Sequence, residues 1–178
     1  MPTHVAMLRG VNVGAHNRIK MPVLVALFDG LGHADVVTYI QSGNVVFKSR
    51  SQSTGALEQG IEQAITRELG LDVAVLVRSA SELAAVAKNN PFLRDGVDGS
   101  KLHVTFLKAK PNAALVREIE TVSAGRDERR VRGREVYLHC PGGYGNTKLN
   151  GSFVEKRLNA VTTTRNWNSV TKLLELAS

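Results

Sequence analysis

The chain has 178 residues, 43% of them hydrophobic, and a formal net charge of +7, enough apolar content for a folded core in one domain or two small ones. No apolar run approaches the roughly 18 residues that cross a bilayer, and Arg9 cuts the apolar run from Val5 to Leu8 before it resembles a leader, so the expectation is a cytoplasmic protein with no membrane partner. Cys140, the single cysteine, excludes an internal disulfide, and the five histidines lack ligand spacing, so neither a metal nor a cofactor is expected.

Residues 4–9 read as a strand. Leu24, Leu27, Phe28 and Leu31 then recur at helical spacing after Pro22, with Gly32 placed to end the helix. Between them lies the acid-free segment Arg9-Gly10-Val11-Asn12-Val13-Gly14-Ala15-His16-Asn17-Arg18-Ile19-Lys20. Its glycines let backbone N–H groups approach a ligand, the following helix start offers unpaired donors, and Arg9, Arg18 and Lys20 supply charge with no acid before Asp29. That pattern points to a phosphate or carboxylate cradle. The competing reading is that Asn12 and Asn17 bond their own turn while the cations are solvated.

Residues 36–41 and 44–48 flank Ser42-Gly43 as a hairpin, where Gln41 and Asn44 offer side-chain hydrogen bonds that the turn itself can also use. Leu57, Ile61, Ala64 and Ile65 mark a helix closed by Gly70, and residues 73–78 read as a strand. The order is βαββαβ. Because Val73 to Val77 is apolar on both faces, the sheet face opposite the helices is expected to be covered.

Ser79 and Glu82 form a capping box for a connecting helix that stops before Pro91, and a Gly/Asp-rich linker follows. Leu102, Val104 and Phe106 alternate as a strand; Leu115, Val116, Ile119 and Val122 mark a helix after Pro111; two short strands, about 127–132 and 134–140, surround Gly133. In the tail, Ser152 and Glu155 suggest another capping box. Thr162 to Asn166 reads as a capping run before a last amphipathic helix bearing Trp167, Val170, Leu173 and Leu174. The expected fold is therefore α+β, a tandem duplication of ferredoxin-like βαββαβ units with a C-terminal helical tail. Residues 4–78 form the first unit, 79–100 the connecting helix and linker, and 101–178 the second unit with its C-terminal helices.

Chemical motifs are sparse. The segment from Tyr144 to Leu149 lacks the spacing of a nucleotide-binding P-loop, and no dinucleotide fingerprint follows a strand. His139 and Cys140 are neighbours on a strand and point to opposite faces, which separates base from nucleophile. Arg126, Arg129, Arg130, Arg132 and Arg134, diluted by Asp127 and Glu128, suit either nonspecific contact with nucleic-acid phosphates or a solvated hairpin. An enzyme acting on a small anionic substrate is a further alternative, with His16 as the local candidate base.

Leu8-Arg9-Gly10-Val11-Asn12-Val13-Gly14, Lys20-Met21, the run from Thr38 to Phe47, Thr147-Lys148-Leu149 and the run from Thr163 to Asn168 together resemble the signatures of the bacterial family DUF1697, and the resemblance spans essentially the whole chain. It implies an α+β protein of two related ferredoxin-like units. The family name carries no activity, so the resemblance implies no catalytic residue. Ala15 departs from the pattern, since a second glycine is common there. The distinctive blocks are polar turns and helix starts, and the resulting hypothesis is one cleft for an anionic small molecule, with Arg9, Asn12, Asn17, Arg18, Lys20, Gln41, Asn44, Lys148, Arg165 and Asn166 as candidate ligand-binding residues. Oligomeric state is left open.

Overall fold

The first apolar run forms strand β1 (Thr3–Leu8), placed centrally in a sheet by its two hydrogen-bonded neighbours. A computed structural model describes residues 1–178, apart from the side chains of Arg94 and Asp95. After β1 come α1 (Met21–Gly30), β2 (Ala34–Tyr39), β3 (Asn44–Lys48), α2 (Thr54–Leu69), β4 (Val75–Ser79) and α3 (Ala80–Lys88). The second half adds β5 (Leu102–Leu107), α4 (Ala113–Thr121), β6 (Glu128–Arg132), β7 (Glu135–His139), α5 (Gly151–Leu158), β8 (Thr162–Asn166) and α6 (Trp167–Ala177). These elements build two four-stranded antiparallel sheets, ordered β2-β3-β1-β4 and β6-β7-β5-β8, so the same βαββαβ order occurs twice, suggesting a duplicated unit. The chain divides into two compact units, one of Met1–Ala85 with Lys172–Ser178 and one of Val86–Thr171.

In the first unit, Ala6, Leu8, Val45, Phe47, Val75 and Val77 share one face of the sheet and pack with Leu24, Leu27 and Phe28 of α1 and Leu57, Ile61 and Ile65 of α2. Val5, Met7, Val46, Leu76 and Arg78 occupy the opposite face and are also buried. That face offers no open platform for base stacking. In the second unit Leu107, Val136 and Leu138 pack with Ile119, Val154 and Leu158 in the same way.

Local signals explain several boundaries. Ser79 and Glu82 bond reciprocally, Ser79 N–H to Glu82 Oε2 at 2.9 Å and Glu82 N–H to Ser79 Oγ at 3.1 Å, which starts α3 as a capping box. Gly70 ends α2 in the left-handed conformation. Two expectations are corrected. The cap of α5 is Asn150, whose Oδ1 accepts the Phe153 N–H at 3.0 Å, and Ser152 lies inside the helix. Thr162–Asn166 is strand β8 rather than a capping run, because β-branched threonines suit an extended chain and Thr164 meets Thr105 across the ladder, Oγ1 to Oγ1 at 2.8 Å. Only Asn166 caps, accepting the Ser169 N–H at 2.8 Å at the start of α6.

The register exposes a further internal likeness. Arg78 stands opposite Val5 and Arg165 opposite Val104, so each sheet carries one buried arginine at the same place, and His4 and His103 precede those valines. His4 stacks on Phe47 with centroids 5.6 Å apart, and His33 lies 4.7 Å from the same ring. Burial pushes both imidazoles below the usual histidine range, and the neighbouring His4 adds to the effect on His33.

Two tests follow from this packing. At Gly43, with φ at +84°, an added Cβ would stand 2.8 Å from Leu8 Cβ. Gly43→Ala therefore combines left-handed strain with overpacking and should destabilise the protein by about 2–4 kcal/mol in urea unfolding. As pH falls below the histidine value of about 6.5, the unfolded chain takes up protons that folded His4 and His33 resist. Stability should accordingly decline from about pH 7 downward and level off once the folded imidazoles also protonate. The slope of Tm against pH should be shallower in His4→Phe.

Candidate functional site

The segment between β1 and α1 is shaped by four left-handed residues, Gly10, Asn12, Gly14 and Asn17, with φ of 66°, 59°, 65° and 50°. Glycine and asparagine are the residues that tolerate this conformation, which explains their spacing in the loop. Asn12 N–H donates to Asn17 O at 3.1 Å, and Val13 bridges His16, so residues 12–17 fold back as a miniature hairpin. Val11 and Ile19, both buried, anchor its two ends in the core.

The Asn12 carboxamide fastens this hairpin to its surroundings. Its Nδ2 donates to Ile19 O at 2.9 Å and to Gln41 O at 2.7 Å, while its Oδ1 accepts the Ile19 N–H at 2.8 Å. Both amide hydrogens are thereby engaged. The loop is tied to the β2–β3 turn, and the two segments border a cavity of about 470 Å³ lined by Asn12, Arg18, Ile19, Lys20, Met21, Pro22 and Gln41.

The start of α1 faces the same cavity. Lys20 holds the N-cap position in extended conformation, no side chain caps the helix, and the first turn contains no acid. Pro22 has no N–H, and Leu24 N–H bonds to Lys20 O at 3.1 Å, so Met21 and Val23 carry the donors that lack an acceptor within the helix. Positive charge at Lys20 adds to the positive end of the helix dipole, an arrangement that opposes the usual preference for acids and polar caps there. Arg18 and Lys20 are exposed, and neither makes an ion pair among the described residues. The Gln41 side chain likewise makes no hydrogen bond there.

The second unit supplies an internal comparison. Its connection between β5 and α4 is short, and Asn112 Oδ1 caps α4 by accepting the Ala114 N–H at 2.8 Å. A hollow of about 320 Å³ also borders this connection and includes Lys108 and Lys110. Basic residues thus recur at both places, whereas an uncapped helix start belongs to the first.

The remaining candidates have other settings. Arg9 is exposed just beyond β1, its backbone N–H donating to Ala74 O at 2.9 Å, and it does not line the cavity. Asn17 is half-buried and serves through its carbonyl. Asn44 is fully buried, donating to Tyr39 O at 3.2 Å and Ser42 Oγ at 3.0 Å, which closes the β2–β3 turn. In the second unit, Lys148 Nζ lies 3.4 Å from Ser123 O. Arg165 is buried and donates to Thr163 Oγ1 at 2.6 Å and Thr164 O at 3.0 Å. Burial lowers its pKa to about 10, so it stays a cation at neutral pH.

The arginine hairpin is largely occupied in building its own unit. Arg129 Nη2 donates to the carbonyls of Glu120 and Val122 at the end of α4, Arg132 Nη1 donates to Asn89 O at 2.9 Å, and the Arg130 guanidinium stands 5.6 Å from the Phe92 ring centre. Because β6 is an edge strand, its charges also discourage pairing with another chain. Cys140 is buried and burial raises its thiol pKa, while His139 Nδ1 lies 3.2 Å from Glu128 Oε1. Among the described residues, no group of three or more His, Cys, Asp or Glu is placed to hold a metal ion.

With this geometry in view, comparison places the protein. The family DUF1697, protein of unknown function, matches residues 1–137. The chain belongs to DUF1697. None of the curated proteins matches it. The solved structure of a conserved bacterial protein from Streptococcus pneumoniae superposes with a TM-score of 0.81 at 20% identity, covering 99% of each chain, so the two share a fold. The whole loop and cavity of this DUF1697 protein fall within the matched residues, whereas Lys148, Arg165 and Asn166 lie after them.

Sequence inspection missed the apolar part of the lining. Ile19, Met21 and Pro22 carry no chemical signal of their own, and only their position at the helix entry would have found them. The clamp gives a direct test. Asn12→Ala removes three hydrogen bonds and puts alanine at positive φ, so it should cost about 2–3 kcal/mol in urea unfolding and raise amide exchange at Ile19.

Proposed function

We propose that this DUF1697 protein binds a small phosphate- or carboxylate-bearing molecule in the cavity between the β1–α1 loop and the β2–β3 turn. The observation that carries the reading is the uncapped start of α1 with Lys20 at the cap position and Arg18 beside it, all bordering one cavity that no carboxylate lines. Like charges gathered there, beside amides that have no acceptor within the helix, are complemented by an anion. Arg18 and Lys20 would pair the charge, the Met21 and Val23 amides and the Gln41 carboxamide would donate hydrogen bonds, and Asn12 would hold the loop in shape. Arg9, in the same acid-free segment, would contribute to the field rather than to direct contact, and Asn17, whose carbonyl accepts the Asn12 N–H, would help Asn12 hold the loop.

The scaffold that presents this site is read as a ferredoxin-like duplication with a C-terminal helix, consistent with the sheet orders and with the repeated placement of Arg78 and Arg165. The volume of about 470 Å³ is within the range of small-molecule sites. Binding is the activity the geometry supports; no residue is assigned a catalytic step.

A thermal-shift titration with inorganic phosphate at low and high sodium chloride tests the proposal. Phosphate at about 100 times its Kd should stabilise the wild type by about 2.7 kcal/mol, less at high salt. Arg18→Ala and Lys20→Ala should each weaken binding about tenfold, the value of one charge-assisted hydrogen bond. An unresponsive wild type, or variants that respond as the wild type does, would overturn it.

A further inference from the structure

In the second unit, positive charge gathers on and just before the edge strand β6, where Arg126, Arg130 and Arg132 are exposed and Arg129 is half-buried. The groups that hold these side chains are uncharged. Arg129 Nη2 donates to the carbonyls of Glu120 and Val122, Arg130 Nη1 to Arg129 O at 2.8 Å, and Arg132 Nη1 to Asn89 O at 2.9 Å. None of the four arginines makes an ion pair among the described residues. The acids nearby are engaged otherwise or act only through their field. Asp127 Oδ2 accepts the Thr147 hydroxyl at 2.6 Å, Glu128 Oε1 lies 3.2 Å from His139 Nδ1, Glu135 stands opposite Arg132 on β7 without pairing it, and Glu120 acts on Arg129 electrostatically. A carbonyl oxygen orients a guanidinium without cancelling its charge, so these cations are held in place and left un-neutralised.

A second group of side chains continues the surface. Lys148 Nζ lies 3.4 Å from the carbonyl of Ser123, the residue after the Val122 carbonyl that Arg129 binds. The same ammonium stands 5.9 Å from the Phe153 ring centre, and the Arg157 guanidinium stands 5.0 Å from it. One half-buried aromatic ring of α5 is therefore shared by two exposed cations. On β6, Arg130 and Arg132 fall on one side of the strand, roughly 7 Å apart by strand geometry.

We infer that this edge of the second unit binds single-stranded nucleic acid, its phosphates along Arg126, Arg130, Arg132 and Lys148 and a base against Phe153. Uncompensated cations answer a phosphate backbone, and an aromatic ring among them answers a base in a sequence-tolerant way. An acidic polypeptide would meet the charge and leave the ring unused. The surface lies wholly in the second unit, and its evidence is independent of the cavity beside α1.

Fluorescence anisotropy of the full chain with a labelled 20-nucleotide oligo(dT), across a series of sodium chloride concentrations, tests this, with polyglutamate and a 20-base-pair duplex as competitors. The logarithm of the oligo(dT) association constant should fall linearly with the logarithm of salt concentration, and the double variant Arg130→Gln/Arg132→Gln should make that slope shallower by about 1.4. Phe153→Leu should weaken oligo(dT) binding about tenfold with the slope unchanged. Should Phe153→Leu fold poorly, Arg157→Gln, whose side chain is exposed, should weaken binding and lower the slope by about 0.7. Oligo(dT) should outlast competition by polyglutamate and by the duplex. Absence of oligo(dT) binding at low salt, a slope that the arginine variants leave unchanged, an affinity that Phe153→Leu leaves unchanged in the folded protein, or displacement by polyglutamate or duplex at equal charge would each overturn the inference.

Discussion

The carboxamide of Asn12 is the constraint on which the first unit's loop depends. One side chain joins the end of a miniature hairpin to Ile19 and, across 29 positions of sequence, to the carbonyl of Gln41. Without it, the ties between the segment after β1 and the turn after β2 would be the Leu8 N–H to Gly43 O bond and the close approach of Gly43 to Leu8 and Val11. With it, the direction in which the chain enters α1 is set by the sheet, and the basic residues at that entry are held beside a cavity. The same clamp separates the two meanings a polar residue can have here, because Asn12 shapes the cavity from within the protein while Arg18, Lys20 and Gln41 retain side chains without ion-pair or hydrogen-bond partners there.

The repeated topology makes the difference between the units informative. Both carry a buried arginine on the last strand of the sheet and lysine or arginine beyond the first strand. They diverge at the helix that follows. Where the second unit spends an asparagine on the helix cap, the first places lysine and reserves its asparagine for the loop. The two helix starts at this shared place in the topology thus differ in whether a side chain caps them.

Sequence was most legible where local physics decides. Gly70, the Ser79–Glu82 box and the proline at the start of α1 are signals whose partners lie within one turn, and each appears where spacing placed it. Strand β8 was opaque because Thr162 to Asn166 carries no apolar alternation; its pairing with β5 is long-range, and threonine hydroxyls that look like caps are cross-strand partners. Asn150 lost to Ser152 as the expected α5 cap because two polar residues so close compete on equal terms in sequence. At the candidate site, the concentration of cations and the absence of acids were visible from composition. The turn-closing use of Asn44 was legible too, because its partners Tyr39 O and Ser42 Oγ lie within the same hairpin, whereas the reach of Asn12 to Gln41 O was not, since that carbonyl comes from a distant segment.

The left-handed glycines and asparagines have a kinetic and entropic implication. A loop whose turns are already fixed by residues suited to them, and whose ends are anchored by Val11 and Ile19, has little freedom left to surrender on meeting a guest. For the anion site proposed above, such a loop would be preorganised: encounter would require desolvation of the cations more than rearrangement of the chain, favouring rapid capture over slow induced closure.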